Sequence, residues 1–190
     1  MKVEAGGRTA ALPSRECVEL GVEAGAEIDW ESLVEAAARL QAGPAGDDAA
    51  RYLAASERTA KSLAAYLARR GYLPEVTASV VSRFVENGWV DDARFARLFA
   101  ESRPDLGRAG LGRELVRRGV PAAVAAAMSK SRSDRESAGA LVPLLRRRYG
   151  GLPKEAALRR ALGFLARRGF SGAEAWRAAG EALGGGDEES

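Results

Sequence analysis

The sequence predicts an all-α chain in which tandem three-helix repeats form an elongated curved body behind a small N-terminal leader module. Three observations lead there. Leu67-Ala68-Arg69-Arg70-Gly71-Tyr72 returns as Leu115-Val116-Arg117-Arg118-Gly119-Val120 and again as Leu165-Ala166-Arg167-Arg168-Gly169-Phe170, so the leucines fall 48 and then 50 residues apart. An interval of that size marks one helical unit copied in tandem. Each phrase also has the chemistry of a last helical turn: Leu faces inward, two arginines meet the negative end of the dipole, and Gly71, Gly119 or Gly169 takes the left-handed stop. Another helix opens at once, with Pro74 and Glu75, with Pro121 and Ala122, or with the capping box Ser171 to Glu174. Third, alanine, leucine, arginine and glutamate favour helix, and with aromatics at only 6% the core they build is thin.

Taken in order, residues 1–46 read as an acidic leader, partly disordered. Residues 1–13 lack periodicity; Ser14 and Asp29 can cap two short helices; Gly43-Pro44-Ala45-Gly46 reads as a linker. The first repeat spans 47–89. Asp47-Asp48 open its first helix, with Ala50, Leu53 and Ala54 inward; Leu63 and Leu67 stripe the second; Val76, Val80, Val81, Phe84 and Val85 share a face of the third. The second repeat, 90–133, starts at Asp91-Asp92 with Phe95, Leu98 and Phe99 inward, and its second helix carries Gly110 and Gly112, each a loss of ~1 kcal/mol relative to Ala. In the third, 134–184, Ser133 and Glu136 form a capping box, and Pro143 predicts a kink or restart. Residues 185–190 form an acidic tail read as disordered. Units of about 45 residues with so light a core need their neighbours for stability.

Charge is uneven. Residues 1–46 carry four Lys/Arg against eight Asp/Glu, whereas residues 47–183 carry 25 against 15. A basic body points to nucleic acid or an acidic protein surface; solvated arginine-rich helix faces are the plainer explanation. The chain has no histidine and one cysteine, Cys17, which removes the commonest general base, the commonest metal ligand and any internal disulfide. No catalytic residue, metal site or cofactor is therefore expected. No long apolar stretch suggests a signal peptide or membrane span, and the composition fits a cytoplasmic protein, expected to be a monomer.

The stretch Gly88-Trp89-Val90-Asp91-Asp92-Ala93-Arg94-Phe95-Ala96-Arg97 resembles the central signature of the RecX family, regulators of the RecA recombinase. Ser102-Arg103, Gly107, Arg113 to Val120, Arg148-Tyr149-Gly150 and Phe164 to Ser171 continue the resemblance, which covers about Asp47 to Leu183. It implies repeats in an extended crescent. It also implies binding in the groove of the RecA filament on single-stranded DNA, hindering strand exchange, ATP hydrolysis and co-protease activity, with no chemistry of its own. Two features depart from the family pattern: a short loop holding Asp105 ahead of Gly110 and Gly112, and Ser62 at a position often acidic.

Asp91 and Asp92 suit a helix N-terminus better than acid–base work, since neither a nucleophile nor a third carboxylate accompanies them. Phe95 sits at core spacing. Arg69, Arg70, Arg117, Arg118, Arg167 and Arg168 serve either as dipole partners or, with Arg94, Arg97, Arg108 and Arg113, as an interrupted basic strip whose planar forks suit carboxylate and phosphate. Two other functions fit the same residues: direct DNA binding by helix-turn-helix-like units, and a repeat scaffold for an unrelated acidic partner.

Overall fold

The computed structural model of the chain describes residues 2–184 except 6, 7, 13, 24, 26 and 28. It is all-α apart from a short strand pair at the start. The acidic tail expected at 185–190 lies outside the described residues.

The chain divides into two compact units, Met1–Asp91 and Asp92–Ser190. The first begins with antiparallel strands β1 (Lys2–Ala5) and β2 (Arg8–Ala11), with Val3 opposite Ala10. This corrects the reading of residues 1–13 as unstructured. Val3 and Leu12 are buried in the same core as the first repeat, an anchor too short to leave a periodic signal. Helices α1 (Ser14–Glu19), α2 (Trp30–Ala54), α3 (Ala60–Arg69) and α4 (Pro74–Glu86) follow.

The larger correction concerns α2. The expected linker Gly43 to Gly46 lies inside it, and Asp47-Asp48 do not open a helix. Pro44 costs a backbone bond there. The helix persists because Leu33, Ala37, Gln41, Ala45, Asp48 and Ala49 recur at helical spacing and are all buried. Consequently Ala50 and Ala54 are exposed, not inward. The predicted cap holds: the Ser32 N–H donates to Asp29 Oδ2 at 3.1 Å. In α4, Val76, Val80 and Phe84 are buried as expected, but Val85 faces solvent.

The second unit holds α5 (Asp92–Ser102), α6 (Arg108–Arg117), α7 (Ala122–Lys130), α8 (Asp134–Gly139), α9 (Val142–Tyr149), α10 (Lys154–Arg167) and α11 (Gly172–Leu183). Helices α5–α7 surround one small core containing Leu111 and Leu115, and α8–α11 surround another containing Leu145, Phe164 and Leu165. The restart foreseen at Pro143 occurs: α8 stops at Gly139 and Pro143 occupies the first turn of α9, where its missing N–H costs nothing. Ser133 and Ser171 accept from the backbone N–H of Glu136 and Glu174 at 3.3 and 3.4 Å. On α5 the buried residues are Ala96 and Ala100; Phe95 and Phe99 are half-buried, and Leu98 is 42% exposed. The sequence placed those three inward because aromatic bulk masked the alanine stripe.

A seam of bare backbone joins the two cores of this unit. The Gly107 N–H donates to the Arg168 carbonyl at 3.0 Å. A Cβ on Gly110 would lie 2.0 Å from that same oxygen, and one on Gly169 would lie 2.0 Å from the Gly110 nitrogen. Gly110 is thus required by contact, whatever it costs α6 in propensity.

Candidate interaction surface

Each repeated phrase builds the same helix end. The Tyr72, Val120 and Phe170 N–H groups donate to Leu67, Leu115 and Leu165 carbonyls at 3.3, 3.1 and 3.2 Å. The glycine N–H groups reach back to Ala68, Val116 and Ala166, and Gly71, Gly119 and Gly169 take φ of 89°, 95° and 80°. These are Schellman ends, and the glycine is needed because its φ is strained for any side chain.

This geometry splits each arginine pair. The second arginine folds back on an aromatic ring and a carboxylate. The Arg70 guanidinium stands 6.0 Å from the Tyr66 ring and 2.8 Å from Asp48. Arg118 stands 4.5 Å from the Phe99 ring and 3.8 Å from Glu114. Arg168 stands 3.7 Å from the Phe164 ring, with its Nε 3.4 Å from Asp105 Oδ2, an ion pair without a hydrogen bond. Cation–π attraction and charge pairing hold these three arginines to the fold. The first arginine of each pair, Arg69, Arg117 or Arg167, lies over no ring among the described residues and is exposed; of the second members Arg70 and Arg118 also keep an exposed edge, and Arg168 is half-buried. Arg117 pairs with Glu114 at 2.6 Å; Arg69 and Arg167 make no ion pair among the described residues.

The other candidates disperse. Arg94 is half-buried and engaged within the fold. Arg97 is exposed and lines a cleft with Glu101, Arg132 and Glu136. The Arg108 guanidinium donates to the Arg132 carbonyl at 3.1 Å, tying α6 to the turn before α8. Arg113 is exposed. Asp91 and Asp92 stand at the start of α5. Trp89 is 57% exposed, its ring edge-on to Phe84 at 4.8 Å.

Sequence reasoning missed a buried polar hub in the first unit. Asp48 accepts from Arg51, from Arg70 Nε at 2.9 Å and from the Tyr72 hydroxyl at 2.7 Å. Burial pushes the Asp48 carboxyl up, but the bonds from Tyr72, Arg51 and Arg70 outweigh it and hold the group below the ordinary carboxylate value. Burial and the neighbouring carboxylate push Tyr72 up to about 12. Alongside, Gln41 donates to Glu16 at 2.7 Å and accepts the Leu73 N–H at 2.8 Å, linking α1, α2 and the entrance to α4. In the second unit Arg103 donates to Asp105, which keeps that carboxyl low, and the Arg117 bond does the same for Glu114.

With this geometry in place, the chain can be compared with known proteins. The family description "RecX, first three-helix domain" matches residues 45–84. The Regulatory protein RecX of Streptomyces coelicolor is 38% identical over 139 residues, covering 70% of this chain and 74% of that protein. That of Halorhodospira halophila is 38% identical over 146 residues, covering 75% and 89%.

The chain belongs to the RecX family. Two crystal structures of RecX proteins share the fold. One matches with a TM-score of 0.68 at 18% identity over 91% of this chain and 90% of its own. The other, from Lactobacillus salivarius, matches with a TM-score of 0.66 at 17% identity over 75% and 96%. The departures from the RecX pattern have local explanations. Asp105 serves both Arg103 and Arg168, and Ser62 donates to the Thr59 carbonyl at 2.8 Å while its N–H caps onto Thr59 Oγ1. Among the described residues no helix is long and apolar enough to cross a membrane, and no three His, Cys, Asp or Glu side chains group so as to hold a metal ion.

Proposed function

We propose that this RecX-family chain regulates the RecA recombinase by occupancy, binding in the groove of the RecA filament on single-stranded DNA and hindering strand exchange, ATP hydrolysis and co-protease activity. It acts in the cytoplasm and catalyses no reaction. The supporting observation is the division of labour at the three helix ends. Arg70, Arg118 and Arg168 lie against aromatic rings, while Arg69, Arg117 and Arg167 lie over no ring among the described residues and stand exposed at equivalent positions in successive copies, Arg117 with Glu114 as a partner. Equivalent forks on a repeated unit suit a repeated partner. Several weak contacts along a polymer then act together, because each bound module raises the effective concentration of the next.

The experiment is a titration of the full chain into RecA assembled on single-stranded DNA, following ATP hydrolysis and strand exchange. Both are expected to fall as the chain approaches the filament concentration. Unchanged rates at excess chain reject the reading.

A further inference from the structure

The second unit carries an arginine-lined cleft that none of the candidate residues except Arg167 touches. It has a volume of about 500 Å³ and is lined by Arg148, Tyr149 and Leu152 from the end of α9 and the following turn, and by Arg159, Arg160, Gly163 and Arg167 from α10. Four guanidinium groups face one space, and no carboxylate lines it. All four are exposed. Arg159, Arg160 and Arg167 make no ion pair among the described residues. Residues 160, 163 and 167 follow one another at helical spacing, so Gly163 bares the floor between two arginines. A Cβ there would come 3.4 Å from Arg167 Nη1. Arg148 is held in place, its guanidinium 5.6 Å from the Tyr149 ring and 5.6 Å from the Phe164 ring.

Like charges gathered without counter-charge repel one another, and a fold that keeps four of them around one hollow is poised for an anion. The hollow is far larger than one phosphate, which suits an extended polyanion. Its apolar side chains are Leu152 and the largely buried Tyr149, and the rest of its apolar wall is arginine stems and Gly163. An acidic peptide finds no deep apolar anchor here, the feature on which protein interfaces depend. A sugar–phosphate backbone needs only donors and positive charge.

We infer that this cleft, built from Arg148, Arg159, Arg160 and Arg167, is a direct binding site for the phosphate backbone of single-stranded nucleic acid. Contact is independent of base identity and needs no recombinase, so the site stands or falls apart from the filament reading.

The test uses the full chain and a fluorescent oligothymidylate of thirty or so nucleotides, with no recombinase present, titrated across a salt series. Arg159→Gln with Arg160→Gln is expected to weaken binding about tenfold or more at low salt and to shrink the log–log salt slope by about 1.4, near 0.7 for each lost phosphate contact. Arg159→Lys with Arg160→Lys keeps most of the affinity, because charge and not fork geometry dominates a backbone contact. Arg39→Gln with Arg135→Gln removes the same charge elsewhere and leaves binding within about twofold if the cleft is the site. Helicity by circular dichroism confirms that each variant is folded. Unchanged oligonucleotide binding in the Arg159/Arg160 variant overturns the inference, as does an equal loss in the Arg39/Arg135 variant. If the Arg159/Arg160 variant instead loses binding only to polyglutamate, the site is for an acidic protein and the inference fails. ATP hydrolysis by RecA, measured in parallel, reports on the filament reading separately.

Discussion

The two compact units solve the same problem, joining small helical blocks with thin cores, by opposite means. In the first, the leader and the first repeat share one apolar core, and buried polar side chains tie its helices together: Asp48 of α2 gathers Arg51, Arg70 and Tyr72, and Gln41 bridges Glu16 to the Leu73 N–H. In the second, the blocks meet through bare backbone, with Gly107 and Gly110 against Arg168 and Gly169, while charge stays at the margin, where Asp105 meets Arg168 and Asp134 accepts the Arg108 N–H. A hydrogen-bonded hub tolerates small shifts but depends on ionisation. A glycine seam is indifferent to pH but tolerates no added atom.

The sharpest way to break that contrast is Gly110→Ala. The new methyl would stand 2.0 Å from the Arg168 carbonyl, backbone that cannot swing aside. Overpacking of this kind is expected to cost ~3 kcal/mol or more, well beyond the ~1 kcal/mol that alanine returns to α6, measured as a fall in the urea midpoint. Hydrogen exchange should rise in α6 and α10 and leave α2 and α3 unchanged.

Next comes Asp48→Ala, which strands the Tyr72 hydroxyl and two guanidinium groups. Because Arg51 and Arg70 are more than half exposed, their share is discounted, leaving a loss of ~2 kcal/mol confined to the first unit. The pH dependence carries the same signature. Asp48 is held below its ordinary 3.8, so its contribution is present above that value and is lost as pH falls below it toward the depressed folded pKa. Tyr72 is raised from 10.0 to about 12, so its contribution is present below 10.0 and is lost as pH rises toward 12. Near-ultraviolet absorbance should show one tyrosine titrating late, and Asp48→Asn should bring it back toward the ordinary value. If the late tyrosine persists in Asp48→Asn, burial alone raises it.

A smaller effect is expected at Phe95→Ala. The ring is half-buried and stacked 6.2 Å from Phe99, so the loss should be ~1–2 kcal/mol, below the ~3–5 kcal/mol of a fully enclosed phenylalanine. The smallest belongs to Gly112→Ala. Its methyl meets the Ser129 side chain, Oγ at 2.9 Å and Cβ at 3.6 Å, and that buried hydroxyl donates to the Ala125 carbonyl, so moving it costs a hydrogen bond that helix propensity largely offsets and the net loss should stay within ~1 kcal/mol. A large loss there would extend the rigid seam to α7.

What was legible in the sequence was what is decided locally. The Schellman ends at Gly71, Gly119 and Gly169, the caps at Asp29, Ser133 and Ser171, and the break before Pro143 each depend on residues within a turn of one another. What was not legible depends on distant partners. Gly43 to Gly46 read as a linker because nothing nearby reveals that Gln41, Ala45 and Asp48 face a core completed by α3, α4 and the strand pair. Gly110 read as a weakness because its reason lies at the end of α10. The arginine pairs are legible in the sequence, but which member lies against a ring depends on the aromatic side chain that the helix end meets. Arg148, Arg159 and Arg160 were passed over, although the runs 146–148 and 159–160 stood in plain view, because they lie outside the repeated phrase.

The continuity of α2 through Pro44 bears on how such chains can be rearranged. A gene fusion that grafted the first repeat from residue 47 onward would inherit half a helix and an open core. One that exchanged α5–α7 alone would leave Gly169 facing a stranger's side chain. The transferable cassettes are therefore the two compact units, and homologous exchange between relatives should have its tolerated crossover near Asp91.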